Sequence, residues 1–495
     1  MEVPRFPIPT FPVLYAINLR AWLYRLSKKY RTGPLKLKDV PLEEFKAIKD
    51  RGFDIIYFVG LWELGTKSRE LDMQDDVREE LKEDLHDVVD EDIIGSPYAI
   101  REYVCNSELG TDADIKMLKV DLNAMGLFLM ADFVPNNTAI DSVWSHNKEY
   151  YITVPANTPP MYKPEKDRYH EDIAYGWSGV SSEPWRDTLQ LNYFRQQTRR
   201  MMIDNLLRIS ELCDGVRCDM AHLCLNEAIK MNWKSTFQDS NVQGEFWEEA
   251  ITAVKKKNPN FIFFGEAYAP WQTSLQELGF NFVYHRDVSD LLIDGHMDNL
   301  RGYLSSQSIK FLEKTCHFTE NVDEPRSAAA YQSIERSWAA ALIVFTLPGM
   351  RLVYQGQEYG LKNNQAIQLR RADAETPNFG VVREYYNLLK ILNTPVFKCG
   401  EWSYVKLSGY DSTWRLIGWT WRLGHTKRLC VMNYTDTPGS GIAVLPNTAN
   451  DRYGNDEITV TELLTGVQYK RSANAMRTTG LHVIIQPWSG QIFQY

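Results

Sequence analysis

Positive charge is in short supply in this sequence: 55 Lys and Arg stand against 64 Asp and Glu, a formal net charge of -9 over 495 residues. A nucleic-acid partner needs a basic surface, so the balance argues against that class of function. Long hydrophobic runs are missing too. Nothing approaches the ~20 consecutive apolar residues of a membrane span, and no membrane partner is expected. The seven cysteines have no CxxC spacing and are odd in number, which speaks against a zinc site or a disulfide framework and for free thiols in a reducing compartment. The nine histidines show no HxxxH or HxH pattern, so a histidine-built metal centre is not written in the chain. The first ten residues hold an acidic residue and three prolines where a secretory signal would place a basic end and an apolar run, so a cytoplasmic protein is expected. Gly439-Ser-Gly441 has no helix behind it to cradle a phosphate and is read as a turn.

What the chain does have is a succession of short apolar runs separated by amphipathic stretches. The runs lie at residues 13–17, 54–59, 127–134, 215–218, 261–264, 280–284, 315–318 and 351–354. Helical periodicity fills most of the gaps, including 21–30, 42–49, 112–125 and 381–392. Eight strands alternating with helices predict a parallel sheet covered by helices, and eight units favour a closed (β/α)8 TIM barrel. The expected division is a barrel from 1–134 and 191–394, an inserted subdomain at 135–190, and a C-terminal antiparallel β-sandwich at 395–495, where helical periodicity gives way to short strand-like runs.

Two stretches break the rhythm. Residues 75–92 are strongly acidic, yet Val77, Leu81, Leu85 and Val88 recur at helical spacing, which predicts a solvated amphipathic helix packed on the barrel. The insert mixes Pro155, Pro159, Pro160, Pro164 and Pro184 with Trp144, Tyr150, Tyr151, Tyr162, Tyr175, Trp177 and Trp185. That composition suits a small irregular subdomain with some rings facing a groove.

The chemistry is concentrated at the ends of the apolar runs. In Cys213-Asp-Gly-Val-Arg-Cys-Asp219 a strand too apolar for the surface delivers Arg217 and Asp219 into one space. A structural ion pair is one reading of that stretch and a working site is the other, because buried charges are costly unless paired or used. Glu266 and Asp323 follow two further runs, and Asp132 closes a third. Barrel strand ends meet at one face, where folding alone gives no reason to gather mutually repelling acids. Clustered carboxylates suit glycosidic bond cleavage, one attacking the anomeric carbon and another, with a raised pKa, protonating the leaving oxygen. Magnesium held by oxygen ligands is the competing use.

Four segments in order resemble the signature regions of the α-amylase superfamily of retaining glycoside hydrolases and transglycosylases. They are Asp132-Phe-Val-Pro-Asn-Asn137, Gly215-Val-Arg-Cys-Asp219, Phe264-Gly-Glu266 and Phe318-Thr-Glu-Asn-Val-Asp-Glu-Pro-Arg326. Tyr98 and Tyr103 ahead of Leu109-Gly-Thr111, and Leu347-Pro-Gly349 ahead of Tyr354-Gln-Gly-Gln-Glu358, support the match. The resemblance implies that Asp219 is the nucleophile, Glu266 the general acid and base, and Asp323 the residue that binds sugar hydroxyls and stabilises the transition state. It implies further that Arg217 orients Asp219 and keeps it ionised, that Tyr98 stacks on the sugar, and that Asn137, Asp132, His222, Asn321 and Arg326 belong to the substrate-binding set.

The sequence departs from the family pattern at two subsite histidines, replaced by Asn137 and Val322, and His222-Leu223 stands where many members have Lys-His. Losing one hydrogen bond costs about 0.5–1.5 kcal/mol, which is roughly three- to tenfold in rate when it acts in the transition state. Gln190 stands where many members have a calcium-binding acid, so no cofactor is expected, with Asn136 left as a calcium candidate. The reading is therefore an enzyme acting on α-glucosidic bonds of an α-glucan or small α-glucoside, by hydrolysis or transfer. The alternative is a catalytically weakened relative that binds glucan or serves in an assembly. Carbohydrate is the expected partner in both.

Overall fold

The computed structural model describes residues 7–154, 162–163, 172–179, 181, 183–234, 242–445 and 457–495; Pro155, Pro159, Pro160 and Pro164 of the insert lie outside them. Eight short strands are buried along almost their whole length: β1 (Val13–Asn18), β2 (Ile55–Val59), β3 (Phe128–Phe133), β4 (Gly215–Cys218), β5 (Ile262–Gly265), β6 (Phe282–Tyr284), β7 (Thr315–His317) and β8 (Met350–Tyr354). Each pairs in parallel with the next, and β8 returns to β1 through the register Val13↔Arg351, so the sheet closes into the expected barrel. Both faces of such a sheet are covered, which is why the strands are continuous apolar runs.

Alternation along the strands sorts their side chains into two cores. Leu14, Ile55, Met130, Phe264, Tyr284, Cys316 and Leu352 fill the barrel interior, while Tyr15, Ile56, Leu129, Val216, Phe263, Val283 and Val353 face the helices. A strand's side-chain period of two puts Arg217 and Asp219 on the inward parity of β4, and Phe264 and Glu266 on that of β5. Gly265 between them faces outward, where a Cβ would lie 2.9 Å from the Phe280 ring. Only glycine lets β5 approach that ring so closely.

The insert contains a three-stranded antiparallel sheet, Asn137–Ala139, Trp185–Gln190 and Tyr175–Gly176. Several of its rings serve packing: Tyr151 is buried with its hydroxyl against Thr138 and Ser142, and Trp177 meets Trp233 edge-on at 5.8 Å. The acidic stretch differs from expectation. Its helix covers only Asp75–Asp84 and ends where Leu85 turns extended (φ -143°). Leu81, Leu85, Val88 and Ile93 then gather around Leu369 as a small core of their own, packed on the segment after β8 and separate from the barrel cores. An antiparallel pair, Trp62–Leu64 with Ile100–Cys105, flanks it.

The C-terminal region is antiparallel. Six strands lie in the order Glu401–Val405, Leu416–Leu423, Thr426–Asn433, Ser489–Gln494, Glu457–Glu462 and Gln468–Ser472. Gly439-Ser-Gly441, expected as a turn, instead opens the strand Gly439–Ala443, which pairs with Leu481–Ile485. A Cβ on Gly439 would meet Leu416 at 2.7 Å, and one on Gly441 would meet it at 3.0 Å, so these glycines permit close approach of two layers. Trp419 and Trp421 donate their indole N–H groups to Thr346 on the barrel side, at 3.2 and 2.8 Å. Among the described residues no helix is long and apolar enough to cross a membrane.

Candidate active site

One guanidinium organises the C-terminal face of the barrel. Arg217, fully buried, donates from Nη1 to Asp219 Oδ1 at 2.5 Å and from Nη2 to Glu266 Oε2 at 2.7 Å, and the same Nη2 lies 3.5 Å from Asp323 Oδ2. Its Nε donates to the Tyr284 hydroxyl at 3.3 Å, and its plane lies 5.3 Å from the Tyr98 ring centre and 5.4 Å from that of Tyr284. Carboxylates from the ends of β4, β5 and the segment after β7 thus converge on one cation. Backbone bonds extend the barrel ladder to hold them, with Asp219 N–H donating to Phe133 O and Glu266 N–H to Cys218 O.

Glu266 is the most heavily bonded of the three. Oε2 accepts from Arg217 and from the Met220 N–H at 2.9 Å, and Oε1 accepts from the Tyr268 hydroxyl at 2.6 Å. Met220 adopts a left-handed conformation (φ 42°, ψ 42°), a strained choice for a non-glycine residue, directly beside the carboxylate that its N–H bonds. Asp323 is the open member, with its side chain 37% exposed.

The pKa directions separate Glu266 from the two aspartates. Burial raises the Glu266 carboxyl, but Arg217, Tyr268 and Met220 outweigh burial and leave it below the usual glutamate range. Burial lifts Asp219 well above the usual range; Arg217 opposes, and the charges of Glu266 and Asp323 add to the rise. Asp323 is pushed up to about 7 by burial, against Arg217 and with Glu266 adding. A single guanidinium cannot neutralise three carboxylates, and the directions favour a proton on the aspartate side of the cluster over one on Glu266.

The remaining expected site residues divide. Tyr98 lies over Arg217 with its hydroxyl unpartnered, and His222 is buried beside Tyr268 with Nδ1 unpartnered and its pKa lowered, chiefly by burial. Asn137 is within the site wall, its amide 3.5 Å from the Tyr98 carbonyl. Three others do structural work. Asp132, 0% exposed, accepts from the Tyr57 hydroxyl and from the Gly60 N–H, so it ties β3 to β2 behind the site. Arg326 is held by Glu320 at 2.8 Å and by the carbonyls of Gln355 and Asn363, pinning the segments after β7 and β8 together. Asn321 Oδ1 accepts from the N–H groups of Asp323 and Glu324, shaping the turn that presents Asp323. Sequence reasoning missed Tyr268 and Tyr284; both stand at strand ends, the former two residues past Glu266, where side chains of one parity share a face.

The calcium candidate does not fit a cation. Gln190 Nε2 donates to both the carbonyl and Oδ1 of Asn136, at 3.0 and 2.9 Å, and its Oε1 accepts from Asn136 Nδ2 and the Trp177 N–H. The oxygens a calcium ion would share already receive an amide donor.

Fold and site together define a class: a (β/α)8-barrel protein with an inserted subdomain, a C-terminal β domain, and an arginine-bridged carboxylate cluster at the strand ends. The family model "Alpha amylase, catalytic domain" matches residues 87–419, and the chain belongs to the alpha-amylase family. It is 27% identical over 270 residues to Alpha-amylase MalA of Haloarcula japonica, a stretch that is 52% of this chain and 35% of that protein, so most of the relative lies outside the match. In structure it is similar to an alpha-amylase from Lactobacillus plantarum, at a TM-score of 0.68 and 19% identity over 98% of both chains. It is also similar to the alpha-amylase GTA of Geobacillus thermoleovorans, solved with acarbose, at a TM-score of 0.67 and 15% identity over 99% of both chains. These two likenesses concern the fold.

Proposed function

We propose that this protein is a retaining glycosidase or transglycosylase that acts on α-glucosidic bonds of an α-glucan or small α-glucoside. Asp219 forms the covalent glycosyl-enzyme, Glu266 protonates the leaving oxygen and then activates the acceptor, and Asp323 binds ring hydroxyls. The observation that carries this reading is the contact of one buried arginine with three carboxylates, from the ends of β4 and β5 and the segment after β7. Family membership and an acarbose-bound relative of the same fold support a carbohydrate substrate.

The chemistry needs a proton on Glu266 and Asp219 ionised. Substrate hydroxyls donating to Asp323 and Asp219 favour their charged forms, and exclusion of water beside Glu266 favours its neutral form, so sugar binding moves the proton toward the leaving group. Tyr98 and Tyr284, each with its ring against the Arg217 guanidinium, keep the cation in place while this happens.

A Glu266→Gln variant incubated with α-glucosyl fluoride tests the reading, because fluoride leaves without an acid while the missing base stalls the second step. A mass increase of one glucosyl unit on the peptide holding Asp219 is expected. Neither adduct nor fluoride release, with the fold intact, overturns it.

A second reading, a weakened relative that binds glucan without cleaving it, is favoured by one feature: Val322, in a family histidine position, packs with the apolar barrel cluster of Phe318 and Tyr354 and offers no donor. Saturable maltooligosaccharide binding without turnover would establish it.

A further inference from the structure

Glu266 Oε1 has one partner among the described residues, the Tyr268 hydroxyl at 2.6 Å, and that hydroxyl touches no other carboxylate. The two donors on Oε2 have other duties, since Arg217 also holds Asp219 and Asp323 and the Met220 N–H is backbone. Tyr268 is held firmly. Its ring meets His222 edge-on at 5.9 Å and 87°, and the Arg286 guanidinium lies 6.0 Å from its centre. Arg286 is in turn fixed by Glu324 at 2.8 Å and Asp290 at 3.2 Å. A hydroxyl so placed points its proton at the oxygen that the acid form of Glu266 would itself need to protonate.

We propose that Tyr268 is a positioning residue that stabilises the ionised form of Glu266 and thereby sets the share of the enzyme held in the productive protonation state, with Glu266 neutral and Asp219 charged. The inference rests on the reading of Glu266 as the acid and base. A donor to a carboxylate favours its charged form, and the first step needs Glu266 protonated while Asp219 is charged; because Glu266 is held low and Asp219 high, that form is a minor one, and it shrinks further as the Glu266 carboxyl is made more acidic. Removing the donor enlarges that share, which lifts kcat/KM between the two pH edges and moves the acid edge upward. The other charged and titratable groups facing Glu266 are unchanged by such a substitution: Arg217, Asp219 and His222 from the end of β4, Tyr284 from β6, and Asp323 and Glu324 from the segment after β7. Burial and the Arg217 charge set the baseline, and Tyr268 supplies the adjustable part.

The experiment is the pH profile of kcat/KM on a maltooligosaccharide for wild type and Tyr268→Phe. Between the edges the variant's kcat/KM is expected about tenfold higher and its acid edge about 1 pH unit higher, as follows from the loss of one hydrogen bond to a charged group. The alkaline edge, which belongs to the raised Asp219 carboxyl, stays in place. With α-glucosyl fluoride in a Glu266→Gln background, Tyr268→Phe is expected to leave adduct formation unchanged, since no carboxyl remains to be tuned. A Tyr268→Leu variant, which also lacks the donor, gives the same rise in kcat/KM and the same shift of the acid edge, and thermal unfolding of both variants reports whether the fold is kept. Wild-type turnover with neither a higher kcat/KM nor a moved acid edge in both variants overturns the role of Tyr268 alone. Absence of turnover in wild type at every pH overturns the Glu266 reading and this inference with it.

Discussion

Arg217 Nη1 lies 2.5 Å from Asp219 Oδ1, two residues along the same strand, because a β-strand returns to the same face every second residue. The pair is local in sequence, but the load on the arginine is not, since Glu266 and Asp323 lean on the same guanidinium. Removing one partner from a buried charged network leaves the others uncompensated. Arg217→Ala is expected to cost about 3 kcal/mol at pH 7 by urea unfolding. The loss should shrink at pH 5, where the carboxylates left behind take up protons. A loss independent of pH would mean that Arg217 acts through packing alone.

Asp219→Asn separates fold from chemistry. The native Asp219 carboxyl is raised by burial and by neighbouring charges, so a neutral amide of equal size relieves repulsion in the cluster. Thermal unfolding is expected at the wild-type temperature or above it, with kcat reduced by at least about a thousandfold. Retained activity in a folded variant removes Asp219 from the nucleophile role.

Gln190 and Asn136 form an amide pair where a cation would need their oxygens. Chelator is therefore expected to leave the melting temperature unchanged, and added calcium to have no effect. Gln190→Ala breaks the bonds to Asn136 and the Trp177 N–H and should lower stability by about 2 kcal/mol. A chelator-sensitive wild-type melt would contradict this.

His285 and His317 sit outside the barrel wall, 5.0 Å apart between ring centres, each with an unpartnered Nδ1. His317 donates Nε2–H to the Pro348 carbonyl at 2.8 Å, and His285 bonds the Tyr303 hydroxyl. Burial pushes His317 down to about 3 and His285 well below its usual value, so both are neutral in the folded protein. The unfolded chain takes up these protons below about pH 6.5 and the folded one does not, so this contribution to stability is lost as pH falls. Against a His317→Gln variant, wild type should lose about 1.4 kcal/mol per pH unit between pH 6 and 4 in urea unfolding. Parallel pH dependences would show that His317 titrates normally.

The barrel was legible because fully buried parallel strands must be apolar throughout, and eight such runs with helical gaps admit few architectures. The acidic helix was legible only in part. Its spacing called for a helix to Val88, but Leu85 and Val88 reach their small core around Leu369 from turns, a partner 281 residues or more away in the chain. Gly439 and Gly441 misled because glycine marks turns and close approaches alike, and only the position of Leu416 tells them apart.

The candidate site divides in the same way. Sequence by itself determined which charged groups stand at strand ends, since alternation and apolar flanks leave Arg217, Asp219 and Glu266 one direction to point. It also determined the family. Tertiary structure alone decided how those charges are shared. Asp132 and Arg326, drawn from the same motifs, are consumed by Gly60 and Glu320, while Tyr268 and Tyr284, which no motif marked, reach Glu266 and Arg217. The proton balance follows from that sharing, because a carboxyl's ionisation depends on the donors and charges within a few ångströms of it, and these come from elements far apart in the chain.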